Sequence, residues 1–310
     1  MIYRSYEDAD TLLRQQLHRI RPMKPDTIVG IPRSGMIPAY MLGALLHAPV
    51  IDLQTFLENP EEGGRILLVD DCIGTGGSLR QVLEAIPANV HSRLRTCCLY
   101  SNQPERTDVD LFLEYLPRVA VYEWNIMHCF IVREAVFSLR ALLTSMPKAA
   151  AAEKIEACCR YSRPKIIPAE PIHTLLCPLP EASRSSVEAW LAYYGIQVRQ
   201  LVFQPEQKQS SKAGSWEAQV YRKSGAELFV AGSVEEAEAV FARSGRPVFS
   251  TEANRLFSRG ILYTALRGSR TARHYVYSRV RNKAEALPGP VPASLKWLSR
   301  RVPWRAGAPR

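Results

Sequence analysis

Residues 66–79 read ILLVDDCIGTGGSL, and they place hydrogen-bond acceptors and anion donors side by side. Asp70 and Asp71 end an apolar run, Ile66-Leu67-Leu68-Val69, whose length and β-branched character suit a buried parallel strand. Carboxylates at the carboxyl end of such a strand stand where open α/β sheets take their ligands. The stretch from Gly74 to Gly77 cannot continue a strand. It suits a loop whose backbone N–H groups face an anion, with Ser78-Leu79-Arg80-Gln81-Val82-Leu83 as the helix behind it.

The elements that must carry these residues alternate along the first third of the chain. Strands are predicted at Thr27–Ile31, Val50–Leu53, Arg65–Asp71, Leu94–Tyr100 and Val119–Trp124, with helices at Ile37–Leu46 and Leu79–Ala85. The opening MIYRSYEDADTLLRQQ reads as a polar amphipathic helix rather than a signal peptide. Repeated βα units predict an α/β fold with a doubly wound, mostly parallel sheet. Residues 126–165 are mostly helical in pattern, with an Ala/Lys/Glu-rich stretch near 148–154, and a proline-punctuated segment follows. A second, smaller α/β unit then appears. It has a helix at Ser183–Tyr194, a strand at Val198–Phe203, a polar loop at 204–214 and a strand at Leu228–Val230. A helix at Val234–Ser244 and a strand at Pro247–Phe249 complete it.

Three regions follow: 1–125, 126–257 and a basic tail, 258–310. The 310 residues, 46% apolar and 23% charged, are enough for two cores and ordinary for a globular chain. No apolar run approaches the roughly eighteen residues that span a bilayer. The seven cysteines show neither zinc spacing nor an even disulfide framework, so free thiols in a reducing cytoplasm are expected. The net charge of +10 is uneven: Arg255–Arg310 holds thirteen Lys/Arg against one acid, Glu285. All eight aspartates lie at or before Asp110.

VDDCIGTGGSL resembles the phosphoribosyl-pyrophosphate (PRPP) loop of the type I phosphoribosyltransferases: apolar strand, two acids, spacer, then Thr-Gly-Gly-Ser. The resemblance covers roughly residues 1–125. It implies that Asp70 and Asp71 accept the two hydroxyls of a ribose. Thr75, Gly76, Gly77 and Ser78 would donate to its 5′-phosphate at a helix start. Gly74 completes the loop, and Cys72 and Ile73 are spacers within it. Gly30-Ile31-Pro32-Arg33-Ser34-Gly35-Met36 follows the first strand, where the family carries its pyrophosphate loop. Pro32, Arg33, Ser34 and Gly35 would then hold the diphosphate, with Arg33 in a charge-assisted bond. The donor implied is PRPP with Mg²⁺, the ion held mainly by PRPP itself, with Asp70 and Asp71 as its protein candidates. Asp70, Asp71 and Arg33 are the catalytic candidates, and attack from the opposite face would give a β-linked product.

Departures from the pattern bear on the acceptor. Purine-salvage members carry an acid where this chain has Gly74, and orotate-type members a long cationic loop where it has the short acidic segment 54–64. Glu58, Glu61 and Glu62 are candidate bases there, with a solvated loop as the alternative. Roughly residues 120–257, with the stretches LPRVAVYEWN, SSVEAWLAYYGIQVRQLVF and AELFVAGSVEEAEAVFARSGRPVFS, resemble a haloacid-dehalogenase-type (HAD-like) phosphatase core. That family needs an Asp-x-Asp nucleophile after its first strand, and no aspartate follows Asp110. Cys177 stands near the expected Thr, Glu217 or Ala218 near the Lys, and the acidic pair near Gly232-Ser233 is lost. The resemblance implies a degenerate domain.

Together these resemblances imply a transferase that moves 5-phosphoribosyl to an acceptor hydroxyl, in bacterial ribofuranose-containing surface polysaccharides. A separate phosphatase would then act on the product. Alternatives are a nucleobase phosphoribosyltransferase of salvage and a non-catalytic PRPP-sensing regulator. In the tail, Tyr263, Tyr275, Tyr277, Trp297 and Trp304 interleave with Arg and Lys, and residues 292–302 suit an anionic membrane surface where lipid-linked glycans are assembled. Location is expected to be cytoplasmic, with peripheral inner-membrane contact through the tail. Nucleic acid is the less favoured partner. A tail folded onto its own domain or a twin subunit is an alternative, so a homo-oligomer stays open.

Overall fold

The computed structural model describes residues 1–60, 64–143, 152–205 and 214–259. The tail from 260 on, Glu61 and Glu62, most of the 204–214 loop and the start of the Ala/Lys/Glu-rich stretch lie outside the described residues.

The chain opens with a strand, not with the helix its polar pattern predicts: β1 (Ile2–Arg4), then α1 (Tyr6–Ile20). The reason is a capping box. Asp8 N donates to Ser5 Oγ at 3.1 Å and Ser5 N to Asp8 Oδ2 at 2.9 Å, which fixes the first helical turn at Tyr6. Then follow β2 (Thr27–Gly30), α2 (Met36–Leu46), β3 (Val50–Asp52), α3 (Leu53–Glu58), β4 (Ile66–Ile73), α4 (Gly77–Ala85), β5 (Leu94–Ser101), β6 (Leu111–Tyr115) and β7 (Ala120–Tyr122). The acidic segment after β3 is therefore partly helical, because Asp52 caps Thr55 N at 2.9 Å. Strand β4 also runs two residues past the predicted end at Asp71, since Cys72 and Ile73 pair with Tyr100 and Ser101.

The first sheet has the order β3-β2-β4-β5-β6, with every neighbouring pair parallel. Its two faces bury separate cores, as double winding requires. Leu67 and Val69 pack with Leu13, Ala39 and Leu42 on one side. Ile66 and Leu68 pack with Phe56, Leu79 and Ile86 on the other. The β-branched and leucine-rich runs thus form strands because both faces of each are covered.

A second sheet follows, from β8 (Ala135–Ser138), α5 (Leu139–Leu142), α6 (Ala152–Tyr161), β9 (Ile172–Cys177), α7 (Arg184–Tyr193), β10 (Val198–Phe203), α8 (Ser215–Lys223), β11 (Leu228–Ala231), α9 (Val234–Ser244), β12 (Val248–Ser250) and β13 (Arg255–Phe257). Its order is β10-β9-β8-β11-β12-β13, parallel except for β13, which runs antiparallel to β12. Phe137 and Leu175 serve one core, and Val136 and Leu176 the other.

This corrects two expectations. Residues 126–165 hold a strand that their helical pattern hides: among the described residues they contain β8, in the middle of the second sheet. Nor does LPRVAVYEWN open that sheet. Its strand, β7, pairs in parallel with β1 instead, Ile2 opposite Ala120 and Arg4 opposite Tyr122. The first strand of the second sheet is β8, which ends in Ser138 and is followed by Leu139-Arg140.

Candidate functional site

In the first sheet, β3 lies on one side of β2 and β4 on the other, so the order reverses between β2 and β4. Ligands of open α/β sheets bind in the crevice outside the carboxyl ends of strands at such a reversal. The two loops singled out from the sequence both leave from this point: 31–35 after β2 and 74–76 after β4.

The 31–35 loop is drawn tight against β4. Ile31 N donates to Val69 O at 2.9 Å. Any Cβ on Gly35 would lie 2.6 Å from Ile31 O, 2.8 Å from Val69 O and 2.9 Å from Asp70 Oδ1. Glycine here lets the loop approach the first acid. The Pro32–Arg33 peptide is cis, Pro32 and Arg33 are exposed and Ser34 is half-buried. Arg33 Nη2 donates to the carbonyl of His128 at 3.2 Å.

The two acids differ in setting. Asp70 is half-buried, and its Oδ1 accepts from Asp71 N at 2.8 Å. Burial, and then the charge of Asp71, push its carboxyl up to about 8. Asp71 is 3% exposed. Its Oδ2 accepts from Trp124 Nε1 at 2.9 Å and from Asn125 Nδ2 at 3.2 Å. Burial raises this carboxyl as well, against the pull of the Trp124 N–H. Cys72 is half-buried with its thiol pushed up by burial, and Ile73 is in the core.

Gly74 and Thr75 are exposed, and open space surrounds the place of a Gly74 Cβ. Gly76 has φ +78°, and a Cβ there would run into the carboxylate of Asp108. Gly77 N reaches Thr75 Oγ1 at 3.4 Å, and Ser78 is exposed in the first turn of α4. Beneath the loop lies a brace that sequence reading does not find. Arg106, its side chain 3% exposed, donates from Nη1 to Gly74 O at 2.7 Å and from Nε and Nη2 to Asp108 at 2.7 and 2.6 Å. Trp124, Asn125 and His128 are equally absent from a motif reading. They reach the site from a turn more than fifty residues further along the chain. Of the candidate bases, Glu58 is exposed on α3.

Among the described residues, no salt bridge reaches Asp70 or Asp71. Two close carboxyls without an ion-pair partner among the described residues, beside a glycine-rich loop, fit a divalent ion that arrives on a phosphate ligand. Mg²⁺ is commonly held in this way, by one or two carboxylates plus substrate oxygens. Among the described residues no group of three or more His, Cys, Asp or Glu could hold a metal unaided.

The raised carboxyl of Asp70 predicts a pH dependence of stability. The unfolded chain releases this proton near 3.8, whereas the folded ligand-free chain keeps it up to about 8. Over that interval the native state binds more protons, so stability from this group is full below the lower value and falls as pH rises towards the upper one. Urea midpoints measured at pH 5 and pH 8.5 should show this loss in the natural protein. Asp70→Asn, which has no proton to lose, should show a smaller one.

A family model, the phosphoribosyl transferase domain, matches residues 47–126. The match contains Asp70–Ser78 and begins after the 31–35 loop. The orotate phosphoribosyltransferases of Bartonella bacilliformis and Bartonella quintana are 28% and 26% identical to this chain over 124 residues, 37% of this chain and 61% of theirs. The chain thus spans about 61% of the length of these curated relatives. Among solved structures, a purine phosphoribosyltransferase from Pyrococcus horikoshii is 25% identical, with a TM-score of 0.34 over 40% of this chain and 93% of that one. The Helicobacter pylori xanthine-guanine-hypoxanthine phosphoribosyltransferase is 20% identical, with a TM-score of 0.32 and the same coverage.

Proposed function

We propose that this chain is a PRPP-dependent phosphoribosyltransferase that moves 5-phosphoribosyl, with inversion, to a hydroxyl of a glycan. The supporting observation is the pairing of two anion loops on neighbouring parallel strands, with Asp70 between them at the reversal of strand order. Thr75, Gly76, Gly77 and Ser78 take the 5′-phosphate at the start of α4. Asp70, backed by Asp71, takes the ribose hydroxyls. Pro32, Arg33, Ser34 and Gly35 surround the diphosphate, and Arg33 turns from the His128 carbonyl to meet it. Mg²⁺ brought by PRPP would supply positive charge to the diphosphate. In the reaction the bond from the anomeric carbon to the diphosphate breaks, a bond to the acceptor oxygen forms, and the acceptor hydroxyl's proton passes to solvent water as diphosphate leaves.

The glycan acceptor rests on Gly74, which leaves open space where salvage enzymes carry their acid, and on the HAD-like resemblance of the second sheet. Ser138 ends that sheet's first strand and Leu139-Arg140 follow it, with no aspartate among them, so dephosphorylation falls to a separate phosphatase. Inner-membrane contact through the basic tail belongs to the same reading. No helix among the described residues is long and apolar enough to cross a membrane. A second reading, transfer to a nucleobase, is favoured by the names of the matched Bartonella relatives.

The test is diphosphate release from PRPP by the purified chain with Mg²⁺, offered short oligosaccharides in one set and free nucleobases in another. A sugar heavier by one phosphopentose supports the glycan reading. A nucleotide product moves the protein to the second. Binding of PRPP without turnover on any acceptor leaves a sensor.

A further inference from the structure

Asp70 and Asp71 are neighbours in one strand, yet the structure gives them different work. We infer that Asp71 is a positioning residue: it anchors the turn at residues 122–128, which joins the two sheets, to the floor of the candidate donor site. The inference rests on the donor reading above for what the site binds, but not for the anchoring itself.

Three observations lead to it. Asp71 is 3% exposed, and one of its oxygens accepts both the Trp124 indole N–H and the Asn125 amide. A buried carboxylate is costly unless such bonds are kept, so the turn and the acid hold one another in place. Asp70, by contrast, is half-buried and lies against the 31–35 loop.

The turn itself belongs to two cores. Tyr122 and Trp124 pack with the first sheet in a stack of rings, Tyr100 to Tyr122 at 5.1 Å and 11°, and Tyr122 to Trp124 at 5.2 Å and 10°. Val121, Ile126 and Met127 pack instead with Phe137, Val230 and Phe249 of the second sheet. A third tether closes the far end, where the His128 carbonyl accepts from Arg33.

The consequence is a role for the second sheet that needs no residue of its own in the site. Through Val121, Ile126 and Met127 it seats the turn. Through Trp124 and Asn125 the turn holds Asp71, and Asp71 supports Asp70 from behind. The acid that meets the ribose is Asp70.

The experiment uses the full chain, with ribose 5-phosphate as probe in titration calorimetry and amide hydrogen exchange read at residues 122–128. Asp71→Ala should speed exchange of the turn by about ten- to a hundredfold, the loss expected for hydrogen bonds to a charged group. Its effect on ribose 5-phosphate affinity should be the smaller one, under about tenfold. Asp70→Asn should do the opposite, leaving exchange within about twofold and weakening the probe by about a hundredfold or more.

Trp124→Phe keeps both carboxylates and the ring stack but lacks the indole donor. It should reproduce the faster exchange, and it decides the matter if Asp71→Ala fails to fold. Asp71→Ala that loses the probe as fully as Asp70→Asn, with exchange of the turn unchanged, overturns the inference. A natural protein that binds no ribose 5-phosphate overturns the donor reading instead, while the exchange arms still test the anchor.

Discussion

Asp70→Asn is expected to lower diphosphate release from PRPP by about a hundred- to a thousandfold, the range seen when one preorganised polar group is removed from a charge-developing centre. Asp70 lies against the 31–35 loop, with its Oδ1 2.9 Å from where a Gly35 Cβ would stand. As a carboxylate it would accept from the ribose hydroxyls and face the positive charge that grows on the sugar as diphosphate leaves. An amide keeps the size, replaces one acceptor oxygen by a donor and carries no charge. Folding should not suffer, because the amide is neutral like the protonated carboxyl and spares the site a second buried charge beside Asp71 at higher pH. The pairing of lost turnover with an unchanged or raised melting temperature is the diagnostic result. Release within about threefold of the natural protein would remove Asp70 from the chemistry.

Gly76→Val should be nearly as severe, for a steric rather than an electrostatic reason. The residue holds φ +78°, which β-branched side chains almost never adopt. Its Cβ would also meet the Asp108 carboxylate, which holds Arg106 beneath the loop. The valine therefore strains the backbone and pushes apart the brace that fixes the Gly74 carbonyl. We expect ribose 5-phosphate affinity to fall by about a hundredfold, since several converging donors lose their aim together. Inorganic diphosphate, expected at the 31–35 loop, should bind within about threefold of its usual affinity. Equal losses for both anions would mean that the loops do not act separately. Arg106→Ala should give a milder version, because the brace is lost without the strain.

The candidate site is legible in the sequence where it is local and illegible where it is not. Asp70 to Ser78 and Pro32 to Gly35 are contiguous runs, each tied to the end of an apolar strand, so type and order alone locate them. The partners of Asp71 lie 53 and 54 residues away, and the Arg106 contact to Gly74 spans 32. No periodicity links such pairs, and they meet only through the fold. Motif order also carries no account of burial, which is what separates Asp71 from its neighbour.

The fold divides similarly. β2, β4 and β5 are apolar runs bounded by turn residues, and their pairing follows from double winding. β6, Leu111–Tyr115, is short and follows an acidic loop. It declares itself only by pairing with β5. β8 is four residues long, inside a segment whose apolar spacing also suits a helix, and the sheet around it decides the matter. The Asp52 cap of α3 was present in the sequence as Asp-x-x-Thr, but the run of acids after it reads as loop.

The parallel pair of β1 and β7 bears on how such a chain can be inherited. Ile2 and Tyr122 face one core, while Tyr3 and Val121 face the other, with the Tyr3 ring 5.5 Å from that of Phe249. A joint of this kind works like a dovetail rather than a hinge. Recombination near residue 125 would deliver a first half with Val121 and Tyr3 bared to water, and a second half missing part of its wall. The two halves should therefore travel through evolution as one unit, each drifting only as far as the other's side of the joint allows.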